Sequence, residues 1–244
     1  MSRSLQPPWN VPFSRRTLLA ATPAVLAGLS WPHTAHGQID PATPPAAAPR
    51  GWQSLFDGKQ LGAWKSANFG GEGEVQVHDG AIELGYGSSM TGVTYTGSVP
   101  RTNYELRLEA QRVEGIDFFC GLTFPVKDSY CSFIVGGWAG AVVGLSSIDG
   151  KDASENDTTS YMNFDNGRWY RVRVRVMDRS IQAWINNKRV VNQDIVGRTI
   201  SVRNEVELSQ PLGFSTWETR AYLRGIEIRQ LRSRPPRRSK SSAE

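Results

Sequence analysis

The plainest regularity in the chain is a period of two. Over residues 104–110, Tyr104, Leu106, Leu108 and Ala110 fall on one side, while Glu105, Arg107 and Glu109 fall on the other. A strand of this kind buries one face and leaves the other to water, as antiparallel sheets do. Residues 169–177 repeat the pattern, with Val172, Val174 and Val176 set against Arg171, Arg173 and Arg175. Such a basic stripe suits phosphate, but pairing across to a face like that of Glu105 and Glu109 accounts for it more simply. Val75, Val77, Ala81, Ile82 and Leu84 surround His78-Asp79-Gly80, a hairpin with an Asp-Gly turn. Residues 115–124 and 130–136 read as two apolar strands. Residues 181–185 return after a turn at 178–180, Asn186-Asn187 turns again before 189–191, and 213–214 with 222–231 close the set. No segment sustains a helical period, and no internal repeat is visible. The pattern predicts an all-β domain, a sandwich or jelly roll.

The ends differ from this body. Ser14-Arg15-Arg16-Thr17-Leu18-Leu19 is a twin-arginine motif, followed by an apolar run over 18–29 that Pro23 and Gly28 interrupt. The run is too short to span a bilayer, which takes about 20 apolar residues. Ala35-His36-Gly37 fits a small-x-small cleavage site. Residues 1–37 are therefore expected to be a signal peptide for export to the periplasm or the exterior, with no transmembrane anchor and, lacking a Cys, no lipid anchor. Residues 38–50 form a Pro/Ala-rich linker, 51–231 the domain, and 232–244 a basic disordered tail. Leader and tail hold eight of the 28 basic residues and one of the 23 acidic ones. The rest is near neutral with a slight acidic excess, which argues against nucleic acid as the partner.

Gly51-Trp52-Gln53-Ser54-Leu55-Phe56-Asp57-Gly58-Lys59-Gln60-Leu61-Gly62-Ala63-Trp64 opens the domain. Leu55-Phe56 can pair as a first strand, Asp57-Gly58 makes a tight turn, and Leu61 and Trp64 return to an apolar face. This opening resembles that of the 3-keto-disaccharide hydrolase family. Gly167-Arg168-Trp169-Tyr170, Ala183-Trp184-Ile185-Asn186 and Leu223-Arg224-Gly225-Ile226-Glu227-Ile228 resemble its later blocks, so the likeness runs over about 51–231. It implies a concanavalin A/laminin-G-like β-sandwich and an exported hydrolase or lyase acting on 3-keto-disaccharides or glycosides. The family's site pattern is altered here. Phe119-Cys120-Gly121 stands for its Asn-Ser-Gly, and Tyr130-Cys131-Ser132-Phe133-Ile134 lacks its Glu and Gln. Phe214-Ser215-Thr216-Trp217-Glu218 lacks its late Gln and His.

Candidate chemistry is limited. His78 is the one histidine after the leader, which excludes a multi-histidine zinc site. Cys120 and Cys131 flank a turn and are either bridged or two buried thiols. Residues 149–157 are dense in oxygen ligands of the kind Ca²⁺ takes about six to eight at a time, without EF-hand spacing; a solvated acidic loop is the competing reading. Trp138, in Gly136-Gly137-Trp138-Ala139-Gly140, and Trp217 are either an exposed platform for sugar rings or ordinary loop packing. The mechanism that the resemblance implies needs a carboxylate base, for which Asp149, Asp152, Glu155 and Glu218 are candidates, and an oxyanion partner, for which Arg220 is the candidate. A non-catalytic glycan-binding module is the alternative, and a structural surface protein a third. Because apolar side chains fill the space between the sheets, a polar ligand should bind outside them. The long insert over 136–161 is expected to wall such a site, so that Trp138 and the 149–157 loop border one groove with residues 217–220.

Overall fold

The computed structural model describes residues 51–232. The leader, the linker and the tail beyond Arg232 lie outside them. In chain order the strands are β1 (Gln53–Ser54), β2 (Trp64–Ser66), β3 (Val75–His78), β4 (Ala81–Leu84) and β5 (Met90–Tyr95). Next come β6 (Tyr104–Gly115), β7 (Cys120–Val126), β8 (Ser129–Gly136), β9 (Val142–Ser146) and β10 (Ser160–Tyr161). The last are β11 (Trp169–Val176), β12 (Ser180–Ile185), β13 (Lys188–Asp194), β14 (Gly213–Trp217) and β15 (Thr219–Gln230). They form two antiparallel sheets. The back sheet runs β13-β12-β11-β6-β15-β4-β3, with β1 beside β15, and the front sheet runs β10-β9-β8-β7-β14-β5-β2.

The alternating strands fix the core. The β6/β11 register sets Leu106 beside Val174 and Leu108 beside Val172 on the inner face. The front sheet answers with Val93, Leu122, Phe124, Phe133, Leu145 and Phe214, all fully buried. Tyr104 of β6 donates its hydroxyl to the carbonyl of Pro125 at 2.6 Å and so ties the sheets together. Trp64 is buried, and its Nε1 donates to the Leu55 carbonyl at 2.8 Å, closing the opening motif on itself.

Three expectations change. The first strand lies at Gln53–Ser54, one step before the Leu55-Phe56 pair, whose side chains are buried. The 136–161 insert is no plain loop: Gly137 to Gly140 reverses the chain, and β9 returns along β8. Strand β5 is a strand that the pattern did not indicate. Cys120 and Cys131 are both free and buried. In the hairpin register Cys120 faces Val135 and Cys131 faces Phe124, so they do not meet. Burial pushes both thiols up to about 12.

The outer face of the back sheet is charged. Glu105, with no exposed side-chain surface, accepts from Arg175 at 2.6 Å, from Arg173 at 3.3 Å and from Arg229. Burial alone would push its carboxyl up. Hydrogen bonds from Arg229 and Arg175, and their charges, outweigh this and hold it below the ordinary range. Charge-assisted bonds of about 1.5–3 kcal/mol each are enough to offset desolvation of one carboxylate.

A carboxyl held low stabilises the fold above its unfolded pKa, and that contribution is lost as pH falls through the folded value. Glu105→Gln should therefore lower stability at pH 7 by about 1–3 kcal/mol, discounted for the partial exposure of the arginines. It should also flatten the loss of stability below about pH 4.3. Urea midpoints at pH 7 and pH 3 measure both; a variant identical to the wild type at the two pH values would contradict this role.

Candidate active site

Along the front sheet, the residues that alternate with the core point away from it. They are mostly small: Gly121 and Thr123 on β7, Ser132 and Ile134 on β8, Gly144 and Ser146 on β9, and Ser215 on β14. All of these are buried, because loops lie over them. A Cβ on Gly121 would sit 3.0 Å from the Phe118 ring, and one on Gly144 would sit 2.9 Å from the Ala153 carbonyl. The loops close down at those two points. Between them stays a cavity of about 230 Å³. Its floor is Met90, Ser132, Ile134 and Ser146. Phe118, Trp138 and Trp217 form an aromatic end with Asp117, and Arg203, Glu205 and Val206 form the other end.

The aromatic end rests on strained backbone. Trp138 and Ala139 follow two glycines with φ of 48° and 64°, a region that costs side-chain-bearing residues energy. Asp117 holds this turn: its Oδ2 accepts from the Ala139 amide at 3.0 Å and its Oδ1 from the Phe118 amide at 2.7 Å. Trp138 is 42% exposed and Trp217 38%, so both present ring surface to solvent. Trp217 is fastened by its amide to the Phe118 carbonyl at 3.2 Å.

The charged end is built by Arg203, which precedes the 3-10 turn Asn204–Ser209. Its guanidinium donates to Asp152 at 2.7 Å and to Glu205 at 2.8 Å. Asp152 also accepts from the Ser154 amide at 2.9 Å and hydroxyl at 2.7 Å. The hydrogen bond from Arg203 holds the Glu205 carboxyl below the usual carboxylate range.

Trp138 and Trp217 thus line one cavity, and the 149–157 loop reaches it through the bond of Asp152 to Arg203. The other anticipated residues lie apart from its lining. Asp149 pairs with Arg198 at 3.1 Å, and Asp157 pairs with the same arginine at 2.9 Å. Glu155 is exposed. Glu218, at φ 41°, is the step by which the chain leaves the front sheet for the back one. Beyond it Arg220 belongs to the back sheet, where it donates to Glu83 at 2.6 Å and to the Tyr222 hydroxyl at 3.1 Å. Arg220 is therefore not a member of the composite groove: the change of sheet carries it to the other side of the sandwich. Among the described residues, no three His, Cys, Asp or Glu side chains converge as a metal-ligand group. Asp117, Arg203 and Glu205 were not anticipated. Asp117 directly precedes an apolar run, and the other two lie in an aperiodic stretch.

Residues 51–229 match the family of 3-keto-alpha-glucoside-1,2-lyase-like domains. None of the curated proteins matches the chain. Among solved structures, the Crh5 transglycosylase in complex with NAG superposes with a TM-score of 0.52 at 10% identity, covering 74% of this chain and 83% of that one. A protein proposed to be a glycosyl hydrolase, from Parabacteroides distasonis, gives 0.49 at 16% identity, covering 75% of this chain and 94% of that one. A carbohydrate-binding module from Bacillus subtilis gives 0.46 at 11% identity, with 69% and 96% covered. At these identities the first likeness speaks to the β-sandwich fold alone. Among the described residues no helix is long and apolar enough to cross a membrane.

If Asp117 holds the Trp138 turn, Asp117→Ala should speed hydrogen exchange of the Ala139 amide about tenfold, the worth of one such bond. Amides of β11 should be unaffected. Unchanged exchange at Ala139 would contradict the role.

Proposed function

Because the chain belongs to the family of 3-keto-alpha-glucoside-1,2-lyase-like domains, we propose that the front-sheet cavity takes a 3-keto-disaccharide or 3-keto-glycoside and breaks its glycosidic bond by elimination. The observation that supports this reading is the polarity of the cavity, aromatic at one end and charged at the other. A sugar has the same two-sided chemistry: its C–H face stacks on indole, and its hydroxyl and keto oxygens seek donors and charge.

In this reading the ketone at C3 acidifies the proton on C2. A carboxylate removes that proton, and the C–H electron pair becomes an enolate with its charge on the C3 oxygen. A guanidinium stabilises that charge. The enolate collapses, C3 regains its carbonyl, a C1–C2 double bond forms, and the glycosidic oxygen leaves C1 with the bonding pair and takes up the proton held by the carboxylic acid, which regenerates the base. Addition of water across that double bond makes the net reaction a hydrolysis. Asp117 is assigned as base and Arg203 as the enolate's partner. Glu205 also lines the cavity, but it is tied up by Arg203, whose hydrogen bond holds its carboxyl below the usual carboxylate range. Asp117 has no ion-pair partner among the described residues. Asp152 serves by fixing Arg203. Export through the twin-arginine leader would place the reaction in the periplasm or outside the cell, and a divalent cation such as Ca²⁺ is tested as an additive.

One observation favours a second reading, glycan binding without turnover. Ser132 and Ile134 occupy the cavity floor in the strand where the resemblance called for Glu and Gln. Incubating the purified protein with a 3-keto-glucoside, with Ca²⁺, with Mn²⁺ and with chelator, separates the two. The first reading expects aglycone release, lowered at least about a hundredfold in Asp117→Asn. It also expects KM raised roughly tenfold in Trp138→Ala or Trp217→Ala. Binding without release under every metal condition selects the second reading, and neither binding nor release overturns both.

A further inference from the structure

The outer face of the back sheet carries a second concavity, a groove of about 510 Å³. Trp52 and Trp184 stand in it with Arg107, Arg171, Arg173 and Arg229. Guanidinium groups cover ring surface on both tryptophans: Arg107 lies 4.0 Å from the Trp52 centroid and Arg173 lies 3.9 Å from that of Trp184. The acids nearby are already engaged. Glu227 accepts from Arg107 at 2.6 Å, Glu109 from Arg224 at 2.9 Å, and Glu105 is closed in beneath its three arginines.

Two features do not fit a face built for stability alone. Arg171 stands opposite Glu109 in the β6/β11 register, yet Glu109 is held by Arg224. Among the described residues Arg171 has no carboxylate within ion-pair reach. The same register sets Arg173 directly opposite Arg107, and like charges so placed are destabilising. The β15 bulge adds an opening: Gly225, at φ 60°, has nothing within 4 Å of where a Cβ would stand. Glu227 and Glu105 offset the Arg107–Arg173 pairing, but Arg171 keeps no carboxylate of its own among the described residues, and an unpaired cation beside two tryptophans marks a surface shaped for a ligand.

We propose that this groove binds an acidic polysaccharide, a glycan carrying carboxylates along its length. Arginine forks match carboxylates in two-point geometry. Asn187, Glu109 and Glu227, which also line the groove, offer donors and acceptors for hydroxyl groups. A nucleic-acid backbone has no use for those acids and would need a longer basic track than this near-neutral domain provides. The proposal does not depend on the chemistry assigned to the front cavity.

Calorimetry with the full chain and an oligogalacturonate tests it, beside a neutral cello-oligosaccharide and an oligothymidylate of similar length. The uronate oligomer should bind, more weakly at higher salt, and the other two should bind at least about tenfold more weakly. Arg171→Ala should weaken binding about tenfold without lowering the Tm, since its side chain pairs with no carboxylate. Trp138→Ala, in the front cavity, should leave binding unchanged. The proposal is overturned by no binding, by equal binding of the neutral oligomer or the oligothymidylate, by indifference to Arg171→Ala, or by loss in Trp138→Ala.

Discussion

Two stacked sheets share one apolar layer, and each must then satisfy its other face. The rest of this structure depends on how differently the two sheets do so. The back sheet keeps its outer face wet and packs it with arginines, glutamates and tryptophans, with Glu105 buried under three guanidinium groups. The front sheet presents Gly121, Ser132, Gly144, Ser146 and Ser215 outward and lets loops lie on them. Small residues permit that close approach, and the front cavity exists because the loops do not meet over Ser132 and Ser146.

The same contrast decides what could be read beforehand. Strands β6 and β11 were plain in the sequence because one face is wet, so apolar and charged residues alternate. Strand β9 was not, since all five of its residues are buried and polarity gives no contrast. Strand β5 was hidden likewise, its Met90, Thr91, Gly92 and Val93 being buried on both faces. The opening motif was legible because Trp64 and the turn after Phe56 are a local structure, closed by the bond from Trp64 to Leu55.

Of the site, the tryptophans could be read because Trp138 stands among glycines and Trp217 ends a strand. Arg220 misled for a physical reason: nearness in sequence does not survive the passage between sheets at Glu218. The acidic loop misled because Asp149 and Asp157 grip Arg198, leaving Asp152 to meet the cavity through Arg203. Asp117 was missed because what it does depends on a contact with Ala139, 22 residues away. Arg203 and Glu205 lie in a stretch with no period, and only the fold brings that stretch to the cavity that Ser132 and Ser146 floor.

In the proposed function, sugar binds on the outer face of the front sheet, between an aromatic and a charged end. A crystal structure with a 3-keto-glucoside analogue that cannot eliminate tests this directly. Density for the ring is expected against Trp138 and Trp217, above Ser132 and Ser146, with the keto oxygen turned toward Arg203. Density for the analogue elsewhere, with the cavity filled by solvent alone, would contradict it.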